Sequence, residues 1–200
     1  VSLDSTPKAR AIFLDRDGVL NRALVRGGLP YPPRDLAEVE ILPGVTEALL
    51  ALKAAGFILI TVSNQPDVAR GILKRDTVDS INAYLGERMP MDRFIMCYHD
   101  SGDECACRKP KAGMLHAGAL EFNVDLNRSY MVGDRWRDVE AGKNAGCKTI
   151  FIDYGYDERQ PESYDFVTGS LLEAAQIILS KEKGSEDCRT TEYKNLRRWR

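Results

Sequence analysis

Long hydrophobic runs are missing from this 200-residue sequence, and so is any excess of one charge. No apolar stretch approaches the roughly 18 residues that a membrane-crossing helix needs. Residues 1–10 (VSLDSTPKAR) carry no hydrophobic core of a signal peptide, so a cytoplasmic protein with no membrane partner is the expectation. The 28 Lys and Arg nearly cancel the 30 Asp and Glu, leaving a net charge of -2. That balance provides no basic footprint for nucleic acid, and small substrates fit better than polyanions. Internal repeats are absent too. Cysteine is scarce, at five residues. Three of the five crowd into 97–107 beside a histidine, which in a reducing compartment points to metal before disulfide.

What is present is an alternation of elements. Short apolar or β-branched runs recur at 11–14 (AIFL), 57–62 (FILITV), 94–98 (FIMCY), 130–132 (YMV), 149–152 (TIFI) and 165–167 (DFV). Between them lie segments with helical spacing, as in GVTEALLALKAAG, where Val45, Leu49 and Leu52 recur along one face. Further helices are expected at about 74–88, 112–122, 138–145 and 170–180. Nearly all-apolar strands alternating with helices predict an α/β fold: a three-layer, Rossmann-like, mostly parallel sheet covered on both faces. Residues 22–43, with Gly27, Gly28, Pro30, Pro32 and Pro33, read as a shaped loop able to wall a substrate site. Neither the interval from Asp17 to Ser63 nor that from Ser63 to Lys109 can hold a separate lid of ~50 residues, so no large cap domain is expected and the site should be open. One domain over 1–180 is expected, followed by a polar, disordered tail over 181–200.

Four polar segments follow predicted strands: DRDGVLN (15–21), SNQP (63–66), CRKP (107–110) and GDRWRD (133–138). In parallel sheets the carboxyl ends of the strands gather the chemistry, so the four read as one site. Taken alone, an acidic pair after a strand is as readily a solvated turn; four segments in consistent order shift the balance. Asp15 and Asp17 are tolerable neighbours if Mg²⁺, a hard oxygen-seeking ion, neutralises them, with Asp134 supplying a further oxygen. Asp138, one helical turn on, could hold a metal-bound water or cap the following helix. Ser63, Asn64, Lys109 and backbone N–H groups around such an ion make a phosphoryl pocket, because donors and cations must offset the charge of the transferring oxygens. Cys97, His99, Cys105 and Cys107 form a CxHx5CxC set, a complete tetrahedral complement for a structural Zn²⁺. A nucleic-acid-binding finger is the rival reading of that loop, but no recognition helix follows it. Trp136 could cover the site rim or pack the helix.

DRDGVLN, SNQ, RKP and VGDRWRD resemble the four motifs of the haloacid dehalogenase superfamily of phosphotransferases, in order over residues 11–153. Together with the zinc loop running into Arg108, Lys109 and Pro110, they are similar to the D-glycero-D-manno-heptose 1,7-bisphosphate phosphatases, with histidinol-phosphate phosphatases the alternative; VARG (68–71), GM (113–114) and MVGD (131–134) favour the former. The resemblance implies that Asp15 is the nucleophile and becomes an aspartyl phosphate, while Asp17 serves as acid and then base. It further implies that Asp15, the backbone carbonyl of Asp17 and Asp134 hold Mg²⁺, and that Ser63 and Lys109 stabilise the phosphoryl oxygens. Asn64, Gln65, Pro66, Arg108 and Arg135 are expected to contact the substrate, a small phosphorylated metabolite losing its 7-phosphate, with the protein acting as a monomer. Pro66-Asp67 in place of Ser-Gly, Ala112 in place of Pro, Arg135 in place of Lys, and RALVR at 22–26 depart from the family pattern. A catalytically silent zinc-loop module is the non-enzyme alternative, disfavoured by the intact Asp15, Asp17, Lys109 and Asp134.

Overall fold

The computed structural model describes residues 8–182. Six strands form one sheet in which every pairing is parallel, in the order β5-β4-β1-β6-β7-β8. They are β1 (Arg10–Leu14), β4 (Phe57–Asn64), β5 (Arg93–Cys97), β6 (Tyr130–Gly133), β7 (Lys148–Ile152) and β8 (Phe166–Thr168). Each expected strand is present. The helices fall where the apolar spacing puts them: α1 (Val45–Ala54), α2 (Arg75–Gly86), α3 (Gly113–Glu121) and α4 (Trp136–Ala145), then α5, helical over 171–182.

Alternation along β1 sorts the core into two layers. Ile12 and Leu14 face one side with Leu49 and Leu52 of α1, Ile81 and Leu85 of α2, and Leu171, Ala175 and Ile178 of α5. Ala11 and Phe13 face the other with Met114 and Leu115 of α3 and Ala141 and Ala145 of α4. Each fully buried Leu, Ile or Phe contributes roughly 1.5–3 kcal/mol, so both faces of the central strand are strongly anchored. That anchoring fixes the register of Leu14 between Thr61 and Val132, and with it the three strand ends that follow.

Residues 22–43 differ from the expected loop. Leu24–Arg26 (β2) and Leu29–Tyr31 (β3) pair as an antiparallel hairpin, and a 3₁₀ turn, Leu36–Glu38, follows. Gly27 and Gly28, at φ +57° and +77°, make the turn that lets so short a hairpin close. With α1 and β4, these elements fill the interval from Asp17 to Ser63, and no cap domain is present among the described residues.

Lys181 and Glu182 continue α5: the Lys181 ammonium lies 5.6 Å from the Phe166 ring centroid, and Glu182 pairs with Arg10. The rest of the expected tail, 183–200, lies outside the described residues. No helix among the described residues is long and apolar enough to cross a membrane.

Candidate active site

The chain changes sides of the sheet around β1, leaving β4 on one flank and β6 on the other, and all four polar segments converge at the carboxyl ends of these strands. A cleft there is lined by Asp15, Asp17, Ser63, Asn64, Pro66, Arg108, Lys109, Arg135, Arg137 and Asp138, with Ala23, Pro30, Tyr31 and Pro32 from the hairpin region as its outer wall. Gln65 is placed differently from the expectation. It is buried behind the cleft and holds Asp17 in place.

Asp15, Asp134 and Asp138 present one carboxylate oxygen each within 4.8 Å of one another. Lys109, 2% exposed, lies among them: its Nζ is 3.0 Å from Asp15 Oδ1 and 2.6 Å from Asp138 Oδ1, and it donates to the Val62 carbonyl at 2.8 Å. Burial pulls the Lys109 pKa down, but Asp138 and Asp15 outweigh it and the net shift is upward, so the ammonium stays charged. Asp138 also accepts the Arg135 N–H at 3.0 Å through Oδ2. It therefore caps α4 and pairs with Lys109 at once. Gly133 permits this closeness, since a Cβ there would lie 2.1 Å from Asp138 Cβ.

Three carboxylates share one ammonium, and the group left over is Asp134. Both its oxygens are buried without a hydrogen-bond partner. The Tyr156 hydroxyl lowers its pKa somewhat but does not reach ordinary hydrogen-bond geometry. Burial first, then the charges of Asp15 and Asp138, push Asp134 well above the usual carboxylate range. Asp15 is raised to about 6, by burial foremost, with Lys109 opposing and Asp138 and Asp17 adding. A buried acid with two free oxygens beside a second raised acid is a donor set suited to a hard divalent cation. Gly18, at φ +95°, keeps the approach open, because a Cβ there would sit 1.9 Å from Asp134 Oδ2.

Asp17 stands outside this trio. Its carboxylate accepts from Arg16 Nε (3.1 Å) and Nη2 (3.0 Å), Asn21 Nδ2 (3.0 Å) and Gln65 Nε2 (2.8 Å). Arg16, not singled out in the sequence, is fully buried and is pinned by Asn82 Oδ1 of α2 at 3.0 Å. Asn21 and Asn82 were likewise not singled out. The DRDGxxN run itself carried the signal for Asn21, because the chain from Asp17 to Asn21 forms a tight loop closed by a bridge between those two residues.

Ser63 is buried at the end of β4 and accepts from Gln65 Nε2 at 3.0 Å. Asn64 clamps Lys109 from both sides, its Oδ1 accepting the Lys109 N–H and its Nδ2 donating to the Lys109 carbonyl, each at 3.0 Å. At the rim, Arg108 donates Nη1 to the His99 carbonyl at 3.0 Å. Arg135 is held by Glu158 through both Nε, at 2.8 Å, and Nη2. Trp136 does not line the cleft; the guanidiniums of Arg137 and Arg159 lie 5.1 and 4.4 Å from its ring centroid.

Cys97 ends β5, and Cys97, His99, Cys105 and Cys107 converge. Sulfur Sγ of Cys97 is 3.2 Å from that of Cys107 and 3.9 Å from that of Cys105, while His99 Nδ1 is 3.6 Å from Cys97 and 3.3 Å from Cys107. Metal–sulfur bonds of about 2.3 Å in a tetrahedron imply edges of about 3.8 Å, so these separations fit one zinc ion, and the cysteines are not paired as disulfides.

A parallel α/β sheet with an acidic pair after its central strand, a serine and a lysine on one side and an aspartate on the other defines a phosphatase of the haloacid dehalogenase type. A protein-family profile described as HAD-hydrolase-like matches residues 106–174. The chain is 34% identical over 183 residues to D-glycero-beta-D-manno-heptose-1,7-bisphosphate 7-phosphatase of Pasteurella multocida (strain Pm70), covering 84% of this chain and 96% of that protein. It is 34% identical over 193 residues to the enzyme of the same name from Yersinia pestis, covering 89% and 100%. Among solved structures, D,D-heptose 1.7-bisphosphate phosphatase from B. bronchiseptica, complexed with magnesium and phosphate, superposes with a TM-score of 0.73 at 31% identity, over 86% of this chain and 99% of that one. The chain belongs to the heptose-bisphosphate phosphatase family of the haloacid dehalogenase superfamily.

Proposed function

We propose that the chain removes the 7-phosphate of D-glycero-D-manno-heptose 1,7-bisphosphate, leaving the phosphate at carbon 1. The observation that carries this reading is Asp15, held 3.0 Å from the Lys109 ammonium at the floor of a cleft whose rim is basic. In the first half-reaction Asp15 attacks phosphorus in line, its oxygen bonding to phosphorus as the bond to the sugar oxygen breaks. A proton from Asp17 goes to that departing oxygen. In the second, the ionised Asp17 takes a proton from water, the resulting hydroxide bonds to phosphorus, and Asp15 is released with inorganic phosphate. Four N–H donors fix the Asp17 carboxylate in place. Arg16 and Gln65 thereby position the acid–base residue without touching substrate.

Lys109 and Ser63 offset the charge of the transferring oxygens, and their hydrogen bonds to the protein fix them before substrate arrives. Magnesium, held by Asp15, the Asp17 backbone carbonyl and Asp134, would supply the remaining charge neutralisation. Asp138 acts through Lys109 by orienting the ammonium. Zinc on Cys97, His99, Cys105 and Cys107 would be structural, since four protein ligands leave no position for a reactive water. Pro66 and Asn64 line the cleft beside the hairpin residues, and Arg108 holds the phosphate that is not cleaved.

The test compares phosphate release from the heptose 1,7-bisphosphate, heptose 7-phosphate, histidinol phosphate and an aryl phosphate, with and without Mg²⁺. Highest kcat/KM is expected on the bisphosphate, with heptose 1-phosphate as product and no turnover without the metal. Preference for histidinol phosphate, or release of the 1-phosphate, overturns the reading.

A further inference from the structure

The rim of the cleft carries three guanidinium groups, those of Arg108, Arg135 and Arg137, and they are not equivalent. Arg135 has its charge paired, Nε and Nη2 both meeting Glu158. Arg108 gives one nitrogen to the His99 carbonyl and keeps the rest of its fork. Arg137, half-buried, has no hydrogen bond or ion pair among the described residues; its only contact of that kind is the Trp136 ring. That ring also meets the guanidinium of Arg159, which is anchored to Glu140 at 2.8 Å. Arg137 is thus restrained by an aromatic platform without being neutralised. Burial foremost, then the charge of Arg135, lowers its pKa, with Glu158 and Asp138 opposing and Arg108 adding, so neighbouring guanidiniums crowd a cation that no carboxylate directly pairs. A guanidinium still remains charged under those conditions, so the crowding is relieved by an anion and not by loss of a proton.

The floor of the cleft is already supplied for the reacting phosphate, because Asp15, Ser63 and Lys109 are buried there with the Lys109 ammonium committed to Asp15 and Asp138. Arg108 and Arg137 are more exposed and line the same cleft nearer solvent. We infer that Arg137 is the second arm of an anion clamp, holding with Arg108 the distal phosphate of a sugar bisphosphate, and that it is a specificity-determining residue of this chain in place of Arg135. This deepens the function proposed above and rests on it. Planar forks from two directions suit a phosphate dianion, each contributing charge-assisted hydrogen bonds that a neutral sugar terminus cannot use.

Two measurements test the inference. Arg137→Ala should lower the ratio of kcat/KM on heptose 1,7-bisphosphate to that on heptose 7-phosphate by about tenfold to a hundredfold, mainly through KM, and Arg137→Lys should recover part of it. The second measurement uses Asp15→Asn, which binds without turnover, and compares calorimetric affinity for fructose 1,6-bisphosphate and fructose 6-phosphate with and without Arg137→Ala. The same selectivity should shrink there. An unchanged ratio in both, or equal losses on mono- and bisphosphates, overturns the assignment. If the heptose bisphosphate is a poor substrate while the fructose pair still separates the variants, the proposed function falls and the role of Arg137 stands. If the parent protein binds neither bisphosphate better than its monophosphate, the clamp itself is refuted.

Discussion

Raising the pH should tighten Mg²⁺ binding, because the carboxylates that would hold the ion carry protons in its absence. Asp15 is pushed up to about 6 and Asp134 well above its ordinary range, both chiefly by burial. At pH 5 a group with a pKa of about 6 is ionised roughly one tenth of the time, and at pH 7 roughly nine tenths. The ion binds the ionised form, so Asp15 alone accounts for an apparent affinity gain of about tenfold between those pH values, and Asp134 adds to it. Sign follows from linkage. The folded, metal-free state holds the Asp15 proton more tightly than the unfolded chain, whose ordinary value is 3.8. The stabilisation is therefore fully present below about pH 4 and is lost as pH rises through about 6, a change of ~3 kcal/mol for a shift of about two units. Added Mg²⁺ should cancel that loss, so the rise in Tm with Mg²⁺ should be small at pH 5 and large at pH 7. Calorimetry in buffers of different ionisation heat should detect proton release on binding at pH 5 to 6. Equal Mg²⁺ affinity at pH 5 and pH 7, with no proton released, would refute the placement of the ion against Asp15 and Asp134.

Other expected outcomes follow from single contacts. Lys109→Met leaves Asp15 and Asp138 buried without their cation; breaking such a pair costs about 3–5 kcal/mol, so metal-free protein at pH 8 should lose roughly 6–20 °C in Tm, and a drop under about 3 °C would contradict the buried pairing. Asp15→Asn should abolish turnover while circular dichroism stays close to the parent, whereas retained turnover would rule out covalent catalysis by Asp15. Asp17→Asn should reduce kcat by roughly 10²–10⁴-fold, the usual contribution of general acid–base catalysis, in steady-state assays. Metal analysis should find about one zinc per chain, and Cys107→Ala should lose it together with activity; full activity in a zinc-free variant would detach the loop from Lys109.

Periodicity made the sheet and its helices legible, because nearly all-apolar strands such as FILITV and one-sided helices such as the one at 45–54 have few other ways to bury their surface. The hairpin at 24–31 was not read, although Gly27-Gly28 between LVR and LPY is a turn signal, since three-residue strands carry too little alternation to stand out among prolines. Within the site, Asp15 and Asp134 were visible because acidic residues directly after apolar strands have a predictable place, and Ser63 and Lys109 because SNQP ends such a strand and CRKP closes the cysteine–histidine loop that follows another. Partnerships across the fold were not visible. Arg16 depends on Asn82, 66 positions away, and Arg135 at the rim is paired with Glu158, 23 positions away. Spacing along the chain says nothing about which carboxylate an arginine will meet.

The position of Lys109 shows why the four segments act as one unit. Its Nζ is bonded to two carboxylates and a β4 carbonyl, and its peptide is clamped on both sides by Asn64. Cys107, two residues earlier, is fixed within the cysteine–histidine cluster at the end of β5. A free lysine side chain loses up to about 1.5–2 kcal/mol of rotamer entropy on ordering. Here that ordering is complete in the folded protein, before any phosphate arrives, so the charge needs no reorganisation during transfer. The same bonds keep the lysine from following the substrate outward. A group so tied can stabilise charge only at the floor of the cleft, and selectivity among sugars then has to come from residues that keep free donors at the rim. Of the three arginines there, Arg108 and Arg137 have no carboxylate partner among the described residues, whereas Arg135 is paired with Glu158 through Nε and Nη2.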